Sequence, residues 1–148
     1  MNHAVMLDAS IAIKRVLDEP FTEQARAIFD HSLRERRPIL APTLMLSEVT
    51  NALYQRTRTT VSEYRITEAE AEDALAAFLH LPIVFLSPPD LYRRALVFAR
   101  THRLRATYDS IYVVLAQMEG VELWTGDERL INSIRSVAPW VRWIGDYS

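Results

Sequence analysis

The chain contains no cysteine, and this absence excludes several classes of site. Cysteine metal ligands, thiol nucleophiles and disulfide frameworks all require a residue that the sequence lacks. The 148 residues are 49% hydrophobic and 24% charged, which is typical of one soluble globular domain rather than a disordered segment. A chain of this length buries enough surface to be stable without crosslinks or a structural zinc. We therefore predict a single domain over residues 1–148.

Long hydrophobic runs are also missing. No apolar stretch approaches the roughly 18 residues that a membrane-spanning helix requires. The N-terminus does not show the charged leader and long apolar stretch of a secretion signal. We therefore expect a cytoplasmic protein that has no membrane partner.

The chain has no excess of positive charge, because 17 basic and 19 acidic residues give a net charge of −2. Binding to phosphates would therefore require a local basic patch or a bound cation. Lysine is nearly absent, since Lys14 is the only lysine and the other sixteen basic residues are arginine. Arginine suits forked contacts with phosphates and carboxylates, but the base composition of a genome produces the same bias.

Short apolar runs alternate with longer amphipathic ones along the sequence, which predicts α/β layers around a mainly parallel sheet. The segment 83–86 is interpreted as the clearest buried strand, and Thr67 and Glu70 have the spacing of a capping box. Gly120 is placed to end a helix that is apolar nearly all round. The predicted strands are 4–7, 39–41, 83–86, 121–125 and an edge strand at 141–144. The predicted helices are 11–17, 22–36, 42–56, 67–80, 91–102, 109–119 and 127–137, and the polar segment 57–65 separates two of them.

Three aspartates stand at comparable places in this pattern. Asp8 follows the first predicted strand, Asp127 follows the fourth, and Asp109 opens the helix between them. Each of them also suits the start of a helix, because aspartate is a favoured N-cap. If the two strands share one parallel sheet, Asp8 and Asp127 emerge together at its carboxyl edge. The intervening helix rises roughly 16 Å and the following strand returns roughly 16 Å, which places Asp109 beside Asp127.

Glu48 is the fourth candidate, at the border of the apolar face of its predicted helix, where it is either partly buried or solvated. Two unit charges 4 Å apart repel by about 4 kcal/mol at an effective dielectric constant of 20. Lys14, raised pKa values or a divalent cation would offset this repulsion. Oxygen ligands without histidine or cysteine favour Mg²⁺ or Mn²⁺ over zinc, and such a site supports hydrolysis of a phosphodiester.

Four segments of the sequence carry these acids with their apolar flanks: VMLDASIAIK, APTLMLSEVTNAL, ATYDSIYVVLAQ and LWTGDERL. In this order and spacing they resemble the PIN-domain ribonucleases, and most closely the VapC toxins of bacterial and archaeal toxin–antitoxin pairs. The resemblance covers nearly the whole chain. It implies a three-layer α/β/α sandwich with a mainly parallel central sheet and a Mg²⁺- or Mn²⁺-dependent endoribonuclease.

The resemblance also implies roles for particular residues. The catalytic and metal-binding quartet of the family corresponds to Asp8, Glu48, Asp109 and Asp127. Ser10 and Thr125 correspond to hydroxyl groups that organise the site, although both also suit helix starts. A homodimer and a cognate antitoxin that wraps the helices around Glu48 are implied as well, with residues 57–65 as a plausible surface for either partner.

The arginines before Asp109 are candidates for substrate contact. Arg103 and Arg105, which are nearest to the acids, are predicted to bind RNA phosphates, whereas the other arginines of this region are interpreted as a solvated helix face. Tyr108 and Tyr112 have the residue type to stack on a base, but their helical spacing favours a core role for both.

The predicted reaction is metal-dependent hydrolysis that leaves 5′-phosphates, because His3, His31, His80 and His102 show no pairing in the sequence that would serve attack by a 2′-hydroxyl. A PIN-type module that binds RNA or protein without cleavage is the alternative.

Overall fold

The central element of the protein is a five-stranded sheet, seen in a computed structural model that describes residues 3–148. The strand order is β3-β2-β1-β4-β5, and each neighbouring pair is parallel. The prediction of a mainly parallel sheet is therefore confirmed. The strands are β1 (Val5–Leu7), β2 (Ile39–Pro42), β3 (Ile83–Leu86), β4 (Leu123–Thr125) and β5 (Val141–Trp143).

Helices connect the strands and cover both faces of the sheet. They are α1 (Ala9–Val16), α2 (Thr22–Arg34), α3 (Leu44–Arg58), α4 (Glu68–Leu79), α5 (Asp90–Thr101), α6 (Thr107–Glu119) and α7 (Glu128–Ile134). Single 3₁₀ turns lie at Ser62–Tyr64 and Ile144–Asp146. Within residues 3–148, none of the helices combines the length and the apolar composition that a bilayer span requires.

The sheet separates two apolar cores, as its side chains alternate between faces. In β1, Val5 and Leu7 pack in one core with Phe29 of α2, whereas Met6 packs in the other with Met45 of α3. All three residues of β1 are fully buried, because β1 is the central strand and has covered faces on both sides. The predicted three-layer α/β/α sandwich is therefore confirmed.

Two predicted helix ends are confirmed in detail. The side chain of Thr67 accepts from the Glu70 N–H, and the side chain of Glu70 accepts from the Thr67 N–H, which forms the capping box at the start of α4. Gly120 adopts a left-handed φ of 67° after α6, where a side chain would be strained. Other predicted helix ends lie within a few residues of the observed ones.

The prediction of 83–86 as the clearest buried strand is wrong. The strand is present, but β3 lies at an edge of the sheet, and Val84 is 49% exposed. A run of four apolar residues does not show whether its strand has one neighbour or two. The most buried strand is β1.

The polar segment 57–65 begins inside α3 rather than after it, since α3 continues to Arg58. The rest of the segment folds back onto this helix. The Arg56 side chain lies over the Tyr64 ring, 5.8 Å from its centroid, and its Nε donates to the Tyr64 carbonyl oxygen.

The prediction of one domain over residues 1–148 stays a prediction, and its first two residues lie outside the described ones.

Candidate active site

Asp8 stands where the central strand ends and the first helix begins. Its N–H donates to the carbonyl oxygen of Trp124 at 3.2 Å, so the pairing of β1 with β4 extends to this residue. Its side chain accepts from the Ile11 N–H and caps α1. Asp8 is 8% exposed. The capping role and the position at the carboxyl edge of the sheet are therefore both present in one residue.

Two hydroxyl groups hold the Asp8 carboxylate. Ser10 Oγ donates to Oδ1, and Thr125 Oγ1 donates to Oδ2. Ser10 Oγ accepts from the Gly126 N–H at 2.8 Å, and Thr125 Oγ1 accepts from the Asp127 N–H at 3.0 Å. Each hydroxyl has one hydrogen to donate. Because both hydroxyl oxygens accept from backbone N–H groups, each hydroxyl can donate its hydrogen to Asp8. The two hydroxyls thus tie Asp8 to the turn that carries Asp127.

Asp127 caps the short helix α7. Its Oδ1 accepts from the Arg129 N–H at 2.9 Å and from the Leu130 N–H at 3.3 Å. This turn follows β4, which pairs with β1, so the parallel topology brings Asp127 to the edge where Asp8 lies. The N-cap role predicted as an alternative for Asp127 is present.

Asp109 lies in the first turn of α6, which begins two residues earlier than predicted, and Ala106 rather than Asp109 is the N-cap. The side chain of Asp109 is exposed, but the protein beside it removes part of its hydration, and this loss raises its pKa. The carboxylate of Asp127 raises the pKa further. Asp109 in turn raises the pKa values of Asp8 and Glu48. Electrostatic interactions with Asp109 therefore link the four predicted acids.

Glu48 is half-buried on α3, and partial burial raises its pKa. The Tyr112 hydroxyl donates to Glu48 Oε1 at 2.6 Å, which favours the carboxylate and opposes that shift. Tyr112 is buried, so the predicted core role is confirmed for it, but its hydrogen bond to Glu48 was missed. The available signal was its position one turn after Asp109 on the same helix.

For Tyr108 the predicted core role is wrong, because this side chain is 57% exposed.

Lys14 does not neutralise the acids. Its Nζ pairs with Glu19 at 3.2 Å, and Glu19 also pairs with Arg56 at 2.7 Å. The Lys14 side chain instead lies against Gly126, where a Cβ would stand 2.7 Å from Lys14 Cε. A side chain at position 126 would therefore displace the end of the Lys14 side chain and crowd Ser10 Oγ, which a Cβ would approach to 3.1 Å.

A cleft of about 260 Å³ opens beside two of the acids. Asp109 and Asp127 line it together with Arg103 and Arg105, the two arginines that the sequence predicts as phosphate ligands. Arg129, in the first turn of α7, lines it as well and was missed. Arg129 stands two residues after Asp127, and this spacing is the signal that was available.

Comparison with known proteins identifies the family. The family model described as the PIN domain matches residues 5–135. The chain is a member of the PIN-domain family. No curated protein matches it.

Two solved structures are similar to this PIN domain. The protein PAE2754 of Pyrobaculum aerophilum is 23% identical with a TM-score of 0.66, and the match covers 98% of this chain and 93% of that one. A chain of a toxin–antitoxin complex from Klebsiella pneumoniae is 16% identical with a TM-score of 0.60, and the match covers 94% of this chain and 96% of that one. At these identities the likeness concerns the fold.

The acids of this PIN domain lack cationic partners. Among residues 3–148, no ion pair joins a lysine, arginine or histidine to Asp8, Glu48, Asp109 or Asp127. The same range contains no group of three or more histidine, aspartate or glutamate side chains that is placed to hold a metal ion.

The pKa of Asp8 predicts how stability depends on pH. Burial raises this pKa from 3.8 to about 6, so the folded state binds the proton more tightly than the unfolded state does. Stabilisation by this proton is complete below pH 3.8 and is lost as pH rises to about 6. Over this interval we expect the free energy of unfolding of the wild type to fall by about 3 kcal/mol relative to Asp8→Asn. Urea denaturation in chelator at a series of pH values measures this difference, and a difference independent of pH would contradict it.

The hydrogen bond from Tyr112 predicts a change in Glu48. Because this bond favours the ionised carboxylate, Tyr112→Phe is expected to raise the pKa of Glu48 further. An NMR titration of the Glu48 side-chain carboxyl carbon measures the pKa. Tyr108→Phe is the matched control, since it removes an exposed hydroxyl from the same helix and leaves the Glu48 titration unchanged. A lower pKa in Tyr112→Phe would show that the hydroxyl does not stabilise the carboxylate.

Proposed function

We propose that this PIN domain is a cytoplasmic, divalent-metal-dependent endoribonuclease that hydrolyses RNA phosphodiester bonds and leaves 5′-phosphates. The observation that carries the proposal is the group of acids around Asp109 at the carboxyl edge of the sheet. The pKa values of Asp8, Glu48 and Asp109 are all raised, so their ionised forms are disfavoured in the arrangement described. A bound cation would reverse this penalty.

The donor set fits magnesium or manganese. Asp8, Glu48, Asp109 and Asp127 supply hard carboxylate oxygens, and these four residues are the proposed catalytic and metal-binding set. When bound there, a divalent ion supplies a water of lowered pKa and screens charge on the phosphate oxygens.

The remaining residues of the site position these acids. Ser10 and Thr125 fix both oxygens of Asp8, so this carboxylate cannot rotate without breaking hydrogen bonds. Tyr112 orients Glu48 in the same way. Such preorganisation matters because a carboxylate held in place needs no rearrangement when it binds a cation or polarises a water.

RNA is the proposed substrate, and its phosphates are the groups that Arg103 and Arg105 bind. Both side chains are exposed and line the cleft beside Asp109 and Asp127. The chain has a net charge of −2, so attraction for a polyanion must be local, and this cleft supplies it next to the acids. Tyr108, exposed one residue before Asp109, is available to stack on a base.

The biological role that we propose is that of the toxin in a toxin–antitoxin pair, acting as a homodimer. The similarity in fold to a chain of the toxin–antitoxin complex from Klebsiella pneumoniae supports a protein partner. The surface formed by α3 and residues 57–65 is the proposed place for the antitoxin or the second subunit. It exposes Tyr54, Val61 and Tyr64, and Leu53 and Leu75 line an adjacent cleft of about 350 Å³.

Cleavage of end-labelled RNAs tests the enzymatic proposal. We expect cleavage with Mg²⁺ or Mn²⁺, none in chelator, 5′-phosphate product ends, and a loss of about 100-fold or more in Asp109→Asn. Asp30→Asn is the control, since Asp30 is an exposed acid on α2. Cleavage that persists in both Asp8→Asn and Asp109→Asn would reject this site. Binding of RNA without cleavage of any RNA would favour the non-cleaving module.

Expression in a bacterial host tests the proposed toxin. We expect induction of the wild type and of Asp30→Asn to arrest growth, and induction of Asp109→Asn to leave growth unchanged. Co-expression of a small DNA-binding protein encoded just upstream is expected to restore growth. Equal arrest by the wild type and Asp109→Asn would show that toxicity does not come from the acidic site.

A further inference from the structure

Three arginines line the cleft beside Asp109 and Asp127, and their guanidinium groups are not engaged with other residues of the described range 3–148. Arg103 and Arg105 come from the connection between α5 and α6, and Arg129 comes from α7. Their guanidinium groups form no hydrogen bond or ion pair with any residue of the described range 3–148. Elsewhere arginines do hold the fold, as Arg56 does through Glu19. The three in the cleft are therefore available to a ligand.

The backbone at Arg103 has an unusual conformation for a residue with a side chain. Its φ is 53°, and the Leu104 N–H donates to the Ala99 carbonyl oxygen at 2.9 Å, which completes the hydrogen-bond pattern that ends α5. Glycine is the preferred residue at this position, and Gly120 occupies the corresponding position after α6. At Arg103 a side chain is present despite the steric cost of the left-handed conformation.

The chemistry of the cleft favours a phosphodiester. Guanidinium groups bind phosphate oxygens through paired hydrogen bonds, and three of them from two separate elements surround one space. Leu104, which is partly exposed, lines the same cleft and provides an apolar surface against which a ribose or a base can pack. Asp109 and Asp127 line the same cleft, so a strand bound at the arginines would lie beside these two acids.

We infer that the arginine cleft binds a non-scissile phosphate of a single-stranded RNA, next to the phosphate that is cut, with Arg129 as a third ligand beside Arg103 and Arg105. This inference rests on the proposed ribonuclease function. In this arrangement the cleft holds the RNA strand in register, and the acids act on the scissile phosphate.

The test measures binding separately from cleavage. A fluorescent single-stranded RNA is titrated in chelator with the full-length wild type, Arg129→Ala and Arg103→Gly, and anisotropy is followed at several salt concentrations. We expect each variant to weaken binding about five-fold at low salt. The slope of log K against log salt is expected to fall in magnitude by up to about 0.7 for each phosphate that the variant no longer neutralises.

The chain offers a matched control for Arg103→Gly. Arg36 is also exposed, has a φ of 55° and ends α2 with the same hydrogen-bond pattern, in which the Arg37 N–H donates to the Ser32 carbonyl oxygen at 2.8 Å. Arg36→Gly therefore removes the same charge and relieves the same backbone conformation outside the cleft. We expect Arg36→Gly to bind RNA like the wild type. Both glycine variants are expected to melt at or above the wild-type temperature, since glycine is favoured at these positions.

Three results would overturn the inference. The first is wild-type affinity in both Arg103→Gly and Arg129→Ala. The second is no binding of RNA by the wild type. The third is equal weakening by Arg36→Gly, which would mean that only overall charge matters. The same measurements separate this inference from the proposed nuclease function. Binding of RNA through the cleft without metal-dependent cleavage would reject only the nuclease function. Metal-dependent cleavage with unchanged RNA binding in the variants would reject only the role of the cleft.

Discussion

The carboxylate of Asp8 is the point on which the geometry of the site depends. It ends the central strand, caps α1 and accepts from Ser10 and Thr125 at the same time. Because the Gly126 and Asp127 N–H groups orient these hydroxyls, the turn after β4 is fixed relative to β1. This arrangement places Asp127 and the start of α7. A change at Asp8 therefore alters a helix start, a turn and a charge together.

The second constraint is the cost of ionising the acids of the site, whose pKa values are raised. Burial is the largest cause of the raised pKa values of Asp8 and Glu48, and partial loss of hydration is the largest cause for the exposed Asp109. Neighbouring acids raise all three pKa values further. The only lysine of the chain does not relieve this, because Lys14 pairs with Glu19 and its stem packs across Gly126. Hydroxyl and backbone donors orient the carboxylates of Asp8, Glu48 and Asp127 without neutralising them. The proposal of a bound divalent cation rests on this environment.

Much of this arrangement follows from the sequence. Short apolar runs followed by aspartates predict strands that end at one edge, and in the structure the parallel pairing of β1 with β4 brings Asp8 next to Thr125. The burial of β3 could not be predicted, because a short apolar run contains no information on how many neighbours its strand has. The hydrogen bond of Tyr112 and the position of Arg129 in the cleft were missed for another reason. The spacing of these residues from Asp109 and Asp127 places them near the acids, but the hydrogen bond and the cleft depend on how separate elements pack.

The hydrogen bond between Thr125 and Asp8 joins residues that are 117 positions apart. During synthesis, Asp8 and Ser10 leave the ribosome long before the turn at Gly126 has been made. A nascent chain therefore contains the first acid without the hydroxyl and backbone donors that orient it, and a chain cut short before residue 125 never acquires them. The assembled acidic site therefore requires a chain that extends at least through Asp127, and translation delays its appearance until this turn has been made.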